Sequence, residues 1–174
     1  MMINMDVDIE YEFDLEPETS IDYRISKKIL EWLKENMETI TDSNGKTLFS
    51  KVNYGYTEDT IKGFGKKPVC DVYINSIRYD SDLHQNIPSS VTSFIICYLK
   101  GNMNNAYLKA TELTDYLIQE FNDNTSFREL QIQENEDTIN IVRNTFIRDV
   151  ELQNIPSGKT YGVICAFELE HELY

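Results

Sequence analysis

Glutamates and a histidine alternate near the end of the chain, where residues 168–172 read ELEHE. Carboxylates and imidazoles are side chains that metal ions accept as ligands. In a β-strand, however, successive side chains point to opposite faces, so His171 would point away from Glu168, Glu170 and Glu172. The spacing therefore predicts no metal site there.

The other histidine, His84, lies in a polar stretch close to Asp80 and Asp82. A carboxylate beside a histidine could serve as a ligand pair or as a base, but a lone histidine does not define either. The sequence also contains no GxSxG, HExxH or Cys–His signature. It therefore predicts a protein without catalytic residues, cofactor or metal.

Residues 62–67, KGFGKK, superficially resemble a phosphate-binding loop. They lack the GxxxxGK[ST] spacing, and the residues that follow predict a strand, whereas a phosphate loop leads into a helix. The stretch predicts a basic loop whose lysines, Lys62, Lys66 and Lys67, could contact an acidic surface of a partner.

Acidic residues dominate the charge of the chain. Thirty Asp and Glu against sixteen Lys and Arg give a formal net charge of −14. Seven of the acids lie in residues 1–18, which contain no Lys or Arg, and residues 7–15 alternate strictly between apolar and acidic side chains. Because non-specific DNA binding requires cations that neutralise phosphates, this composition predicts repulsion of DNA.

Two acidic strand faces are thus predicted, one at each end of the chain: Asp8, Glu10, Glu12 and Asp14, and Glu168, Glu170 and Glu172. Such faces keep exposed strands soluble and unpaired. Side by side in one sheet, the two rows would repel each other. Either the strands lie apart, or the charge serves a function.

The three cysteines, Cys70, Cys97 and Cys165, each lie in an apolar run typical of a strand. Their odd number and the absence of a CxxC spacing argue against a disulfide framework and a zinc site. We expect all three to be buried, unpaired side chains.

The 174 residues have the length of one ordinary domain. No apolar run approaches the roughly 20 residues that span a bilayer, and the N-terminus is acidic where a secretory signal is basic. We expect the protein to be cytoplasmic when it is synthesised. The domain is predicted over residues 19–174, with residues 1–18 as an acidic N-terminal strand or arm.

Apolar spacings of three and four predict a first helix over residues 20–40 and a second over residues 102–123. Strands are predicted around residues 48–56, 69–79, 91–101, 138–153 and 161–173, mostly with short connections. This order predicts an α+β fold: an antiparallel or mixed sheet, two amphipathic helices packed on one face, and a long C-terminal β-hairpin.

The order of elements, the strand and helix "YLKGN…AYLKATELTDYLIQEF", and the tail "RNTFIRDVELQNIPSGKTYGVICAFELEHEL" resemble the tail-terminator and tail-completion proteins of tailed bacteriophages. The likeness covers residues 20–174, and the acidic residues 1–18 lie outside it. It implies a non-enzymatic virion protein that forms a homohexamer ring at the neck, where the tail is joined to the head.

The resemblance also implies partners and a location. The ring would contact the tail-tube protein and the head–tail connector, and it would assemble in the host cytoplasm before it becomes part of the virion. DNA would pass without specific binding through a channel lined by one of the two acidic faces. The row Glu168, Glu170 and Glu172 is the better candidate, because it lies in the family-like region and the row Asp8, Glu10, Glu12 and Asp14 does not. Asp8, Glu10, Glu12 and the three lysines of the basic loop would contact neighbouring subunits or partners.

Two alternatives remain at this stage. The chain could be another neck or tail component, such as a head-closure or tail-tube protein. It could also be an acidic protein that mimics DNA and occupies the nucleic-acid groove of a basic partner.

Overall fold

The computed structural model describes residues 21–55, 67–79, 88–134, 136–157 and 160–174. These residues form two α-helices and six strands, with a 3-10 turn at Thr125–Phe127. In chain order the elements are α1 (Ile21–Thr39), β1 (Lys51–Tyr54), β2 (Val69–Tyr79), β3 (Pro88–Gly101), α2 (Met103–Asp123), β4 (Leu130–Glu134), β5 (Asp137–Ser157) and β6 (Thr160–Leu173).

The six strands form one sheet in the order β1-β2-β3-β6-β5-β4. β1 pairs with β2 in parallel, and all other pairs are antiparallel. The α+β class with a mixed sheet, predicted from the sequence, is confirmed. The acidic arm predicted for residues 1–18 lies outside the described residues.

The first helix was predicted over residues 20–40, and α1 confirms it. Ile29, Leu33 and Met37 recur every four residues and are fully buried, which is the spacing of one helix face. Trp32 lies beside them, and its indole Nε1 donates a hydrogen bond to the Ser126 carbonyl at 2.8 Å. This bond ties α1 to the 3-10 turn.

The second helix begins at an asparagine cap. The Asn102 side chain accepts a hydrogen bond from the Asn105 backbone N–H at 2.9 Å, which satisfies one of the free donors of the first turn. Along α2 the buried residues Ala106, Ala110 and Leu117 follow one face. They join the same buried cluster as the α1 face and the inward residues of the sheet.

The centre of the sheet is the pair β3 and β6. Cys97 lies opposite Cys165, and Ile95 lies opposite Phe167, in a register that continues for twelve residue pairs. In β6 every second residue from Val163 to Leu173 is buried, and the residues between them face the other side of the sheet. We call the side that contacts α1 and α2 the helix face and the opposite side the outer face.

One strand was not predicted. Residues 124–137 lie between the predicted second helix and the strand predicted at residues 138–153, and they contain the 3-10 turn and β4, which pairs with the start of β5. The pattern was too short to recognise, because β4 has five residues and only Leu130 and Ile132 among them are apolar. None of the helices in the described ranges is long and apolar enough to cross a membrane.

The buried face of α1 yields a stability prediction. Leu33→Ala should lower the free energy of unfolding by about 2–5 kcal/mol, because it removes buried methyl groups and leaves a cavity. Leu108→Ala is a matched control, since Leu108 lies on α2 with 67% of its surface exposed. Urea unfolding of both variants measures the difference, and equal stabilities would show that α1 does not pack as described.

Candidate functional site

The predicted acidic row, Glu168, Glu170 and Glu172, lies along β6 on the outer face, between β3 and β5. The row is partly buried: the Glu170 side chain is 18% exposed and that of Glu172 is 43% exposed. His171 points to the helix face, so the histidine and the glutamates do not converge.

Arginines from both sides of the row pair with two of these glutamates. Arg148 on β5 contacts Glu170, and Arg78 on β2 lies 3.8 Å from the same carboxylate. Arg143, also on β5, lies 2.9 Å from Glu172. Two of the three glutamates of the row are therefore paired with guanidinium groups.

The two arginines of β5 that pair with the row lie at β-bulges. The register with β6 steps from Val142 to Asn144 and from Ile147 to Asp149, so that Arg143 and Arg148 are the extra residues. A bulge redirects a side chain and increases the local twist of a strand. Each bulge in β5 thus places a guanidinium group beside a glutamate of the neighbouring strand.

The patch keeps an excess of negative charge. Asp149 and Glu151 lie on β5 opposite Glu168 and Ala166 and face the same side. With them, five carboxylates meet three guanidinium groups, which gives a net charge of −2. Glu168 has no ion pair within the described residues.

His171 is the centre of a buried polar cluster on the helix face. Its Nε2 lies 2.6 Å from the Ser93 hydroxyl, and its Nδ1 lies 2.9 Å from the Thr145 hydroxyl. Thr145 donates its own proton to the Arg128 carbonyl at 3.2 Å. The Thr145 oxygen therefore accepts from Nδ1–H, and Nε2 accepts from Ser93, which assigns a neutral imidazole.

Burial holds the histidine in this neutral form. Desolvation lowers the pKa of His171 to about 3, because no described carboxylate compensates the cost of an imidazolium ion. The Trp32 ring packs edge-to-face against the imidazole of His171, and the centroids of these two rings are 5.7 Å apart.

In enzymes, a histidine beside a serine can act as the base that activates the serine hydroxyl as a nucleophile. Such a site requires that a substrate can reach the hydroxyl, but Ser93 and His171 have no exposed surface. The cluster satisfies the hydrogen bonds of buried polar groups and aligns β3, β6 and β5. In the folded protein this cluster is closed to a substrate, and its hydrogen bonds join the three strands.

The three cysteines form a row across neighbouring strands, since Cys97 is opposite both Cys70 and Cys165. All three are buried and unpaired, as predicted. Burial raises the pKa of the Cys97 thiol well above its usual range and that of Cys165 to about 12. Thiols in this state are poor nucleophiles. Within the described residues, no group of His, Cys, Asp and Glu side chains could hold a metal ion.

Part of the predicted partner surface lies outside the described residues: Asp8, Glu10 and Glu12 of the acidic arm, and Lys62 and Lys66 of the basic loop. Lys67 is described, and it lines a groove that Lys109 on α2 also lines. The sequence did not indicate that these two lysines lie together, because Lys67 precedes β2 and Lys109 lies on α2. His84 is also outside the described residues.

Sequence reasoning also missed the partners of the acidic row and of His171. Arg78 is separated from Glu170 by most of the chain, and Ser93 lies 78 residues from His171. The alternation in β6 did indicate that the histidine and the glutamates occupy opposite faces. No protein-family model matches the chain, and no curated protein is significantly similar to it.

The neutral, buried histidine predicts a pH dependence of stability. Below pH 6.5 the unfolded chain binds a proton at His171, whereas the folded protein does not bind it until about pH 3. The free energy of unfolding should therefore fall as the pH decreases from 6.5 towards 3, by up to about 1.4 kcal/mol per pH unit from this residue.

Urea unfolding at pH 7 and pH 4.5 measures this effect. His171→Gln should be less stable than the unmodified protein at pH 7, but its stability should fall less on acidification. His84→Gln removes the other histidine and should retain the full pH dependence. Equal slopes for the unmodified protein and His171→Gln would contradict the buried neutral state.

Proposed function

We propose that this protein is a non-enzymatic structural subunit of a tailed-bacteriophage virion, a tail terminator. Copies of the chain would form a closed ring, of six subunits as the resemblance implies, that ends the tail tube and joins it to the head-side connector. DNA would pass through the ring without specific binding. The resemblance over residues 20–174 and the geometry of the described residues support this proposal.

The observation that carries the proposal is the outer edge of β5. β4 pairs with β5 only as far as Val142, whereas β5 continues to Ser157. Within the described ranges, no strand pairs with the free side of residues 144–157. A long unpaired strand edge is a template for pairing with another chain, and proteins that stay monomeric avoid it. This edge is suited to assembly.

The finer features of the fold fit the same role. We propose that α1 and α2 together cover one face of the sheet and that β5 and β6 act as a long C-terminal hairpin, which leaves the outer face and the β5 edge for contacts in the ring. The burial of Ser93 and His171 supports a role without catalysis, since the described nucleophile and base are both inaccessible.

Electron microscopy of the purified protein tests the assembly. Two-dimensional class averages should show a closed ring with a central channel. Particles of monomer or dimer size would contradict the terminator role. In that case, tight and salt-sensitive binding to a basic protein would support a DNA mimic. A stacked tube or an open filament would instead indicate a tail-tube protein.

The acidic row of β6 is the proposed lining of the channel. Together with Asp149 and Glu151 on β5, the row forms a patch with a net charge of −2, which opposes phosphate at short range. Changing Glu168, Glu170 and Glu172 together to Gln would keep the shape of the side chains and leave three arginines against two carboxylates. The patch would then attract DNA.

We therefore predict that the triple glutamine variant forms the ring and binds duplex DNA more tightly than the unmodified ring. Fluorescence anisotropy with a short duplex at low salt measures this binding. Glu31, Glu35 and Glu38, all on α1, changed together to Gln, remove the same charge elsewhere and should not increase binding. Equal binding by the two variants would show that the row is not the channel lining. Loss of the ring would place the glutamates at a subunit contact.

A further inference from the structure

The sheet has an open edge on each side within the described residues. On one side β5 has no strand neighbour along residues 144–157, because β4 pairs only with its start. On the other side β1 is the last strand in the order, and it pairs with β2 alone. The N–H and C=O groups of an open edge are a template for pairing with another chain. A second copy can therefore offer its β1 edge where the first copy offers β5.

The side chains of β5 divide along this edge into an apolar and an acidic side. Val150 and Leu152 lie on the helix face, where they pack against the buried cluster but keep part of their surface exposed. Asp149 and Glu151 are exposed on the outer face and have no ion pair within the described residues. A strand that extends the sheet here fits best with apolar residues on the helix face and a positive charge on the outer face.

β1 has this complementary arrangement. Val52 and Tyr54 lie on the helix face, since they pair with Cys70 and Val72, and 49% of the Tyr54 surface is exposed. Lys51 is exposed on the outer face and has no ion pair within the part of the chain that the structure describes. The strand therefore presents one apolar side and one side with an unpaired lysine.

The strand directions fit an antiparallel contact in a ring. β1 runs opposite to β5, because β1 is parallel to β2 and the direction reverses three times from β2 through β3 and β6 to β5. A rotation about an axis along the strands keeps these directions, so β1 of the next copy meets β5 as an antiparallel neighbour. Directly opposed residues then share a face of the joined sheet. The register with Lys51 opposite Glu151 also sets Val52 opposite Val150.

Two other segments of the chain fit this edge less well. Residues 7–15 alternate between apolar and acidic side chains, so their carboxylates would lie beside Asp149 and Glu151 if their apolar side continued the helix face. A second β5 edge, paired antiparallel over the same stretch, would set the carboxylates of one copy against those of the other. Like charges directly across a ladder destabilise the pairing. β1 instead brings a lysine to these carboxylates.

We propose that β1 of one subunit adds to the β5 edge of the next subunit as an antiparallel strand, with Lys51 opposite Glu151. The contact is head-to-tail, since each subunit gives β1 on one side and β5 on the other. Repetition of such a contact generates a ring when the rotation closes. This inference rests on the part of the proposed function in which copies of the chain associate.

Disulfide cross-linking tests the contact and its register. The cross-linking variant carries Lys51→Cys and Glu151→Cys, one at each edge, and directly opposed residues of antiparallel strands lie within reach of a disulfide. Oxidation with copper phenanthroline should give a ladder beyond the dimer on a non-reducing denaturing gel, because every copy is linked to two others. The three native cysteines are buried and should not contribute.

The matched control is Lys51→Cys with Leu108→Cys, since Leu108 is exposed on α2 and does not belong to either edge. This control should give no ladder, and a ladder as strong as that of the cross-linking variant would overturn the inference. Glu151→Cys alone should stay monomeric on the gel. A covalent dimer of this single variant in high yield would show that two β5 edges pair with each other, which would also overturn the inference.

Charge reversal tests the same pair without new thiols. Lys51→Glu and Glu151→Lys should each weaken assembly by about tenfold, because an attractive pair becomes repulsive at every contact. The double variant restores opposite charges and should recover assembly. Lys109→Glu makes the same charge change on the exposed surface of α2 and should assemble like the unmodified protein. Size-exclusion chromatography with light scattering gives the mass, and circular dichroism shows that each variant is folded.

The outcomes separate the inference from the proposed function. If the unmodified protein forms a ring but the cross-linking variant gives no ladder, the inference is wrong and the ring proposal stands. A ladder from a protein that grows into open filaments would support the contact and contradict the ring. A double variant that assembles no better than the single variants would overturn the pairing of Lys51 with Glu151. A monomer that gives no ladder would contradict both proposals.

Discussion

The alternation of β6 in the middle of the sheet is the constraint on which the rest of the structure depends. This strand has neighbours on both sides, β3 and β5, so its register is determined along its whole length. Every second residue from Val163 to Leu173 is buried on the helix face, and Glu168, Glu170 and Glu172 face outward. A shift of one residue would bring three carboxylates into the core, which costs far more free energy than any single contact returns. His171 marks the same register on the other face, because its two hydrogen bonds require Ser93 and Thr145 at their observed positions.

The register of β6 determines which charged side chains lie on the outer face. Three glutamates in a row repel one another, and the neighbouring strands relieve this repulsion with arginines. The two bulges of β5 interrupt a regular ladder to bring Arg143 and Arg148 over the glutamates, but they do not neutralise the patch completely. The patch around the row therefore has a net charge of −2.

Much of the fold could be predicted from the sequence because its elements have strong periods. The stripe of Ile29, Leu33 and Met37 indicates a helix, and the alternation in β6 indicates a strand with two chemically different faces. The contacts between distant residues could not be predicted in the same way. Bulges depend on cross-strand geometry, so nothing local distinguishes Arg143 and Arg148 from other exposed arginines. The groove lined by Lys67 and Lys109 likewise depends on the docking of α2 near the turn after α1.

Within the described residues no strand pairs with the free side of β5 over residues 144–157, and this edge supports the proposal that copies of the chain associate. Sedimentation velocity of the unmodified protein over a hundredfold range of concentration tests this central claim most directly. The account predicts one assembled species of fixed size, because a closed ring has no free contact at which it could grow. A monomer at every concentration would contradict the account, and so would assemblies that grow without limit as the concentration rises.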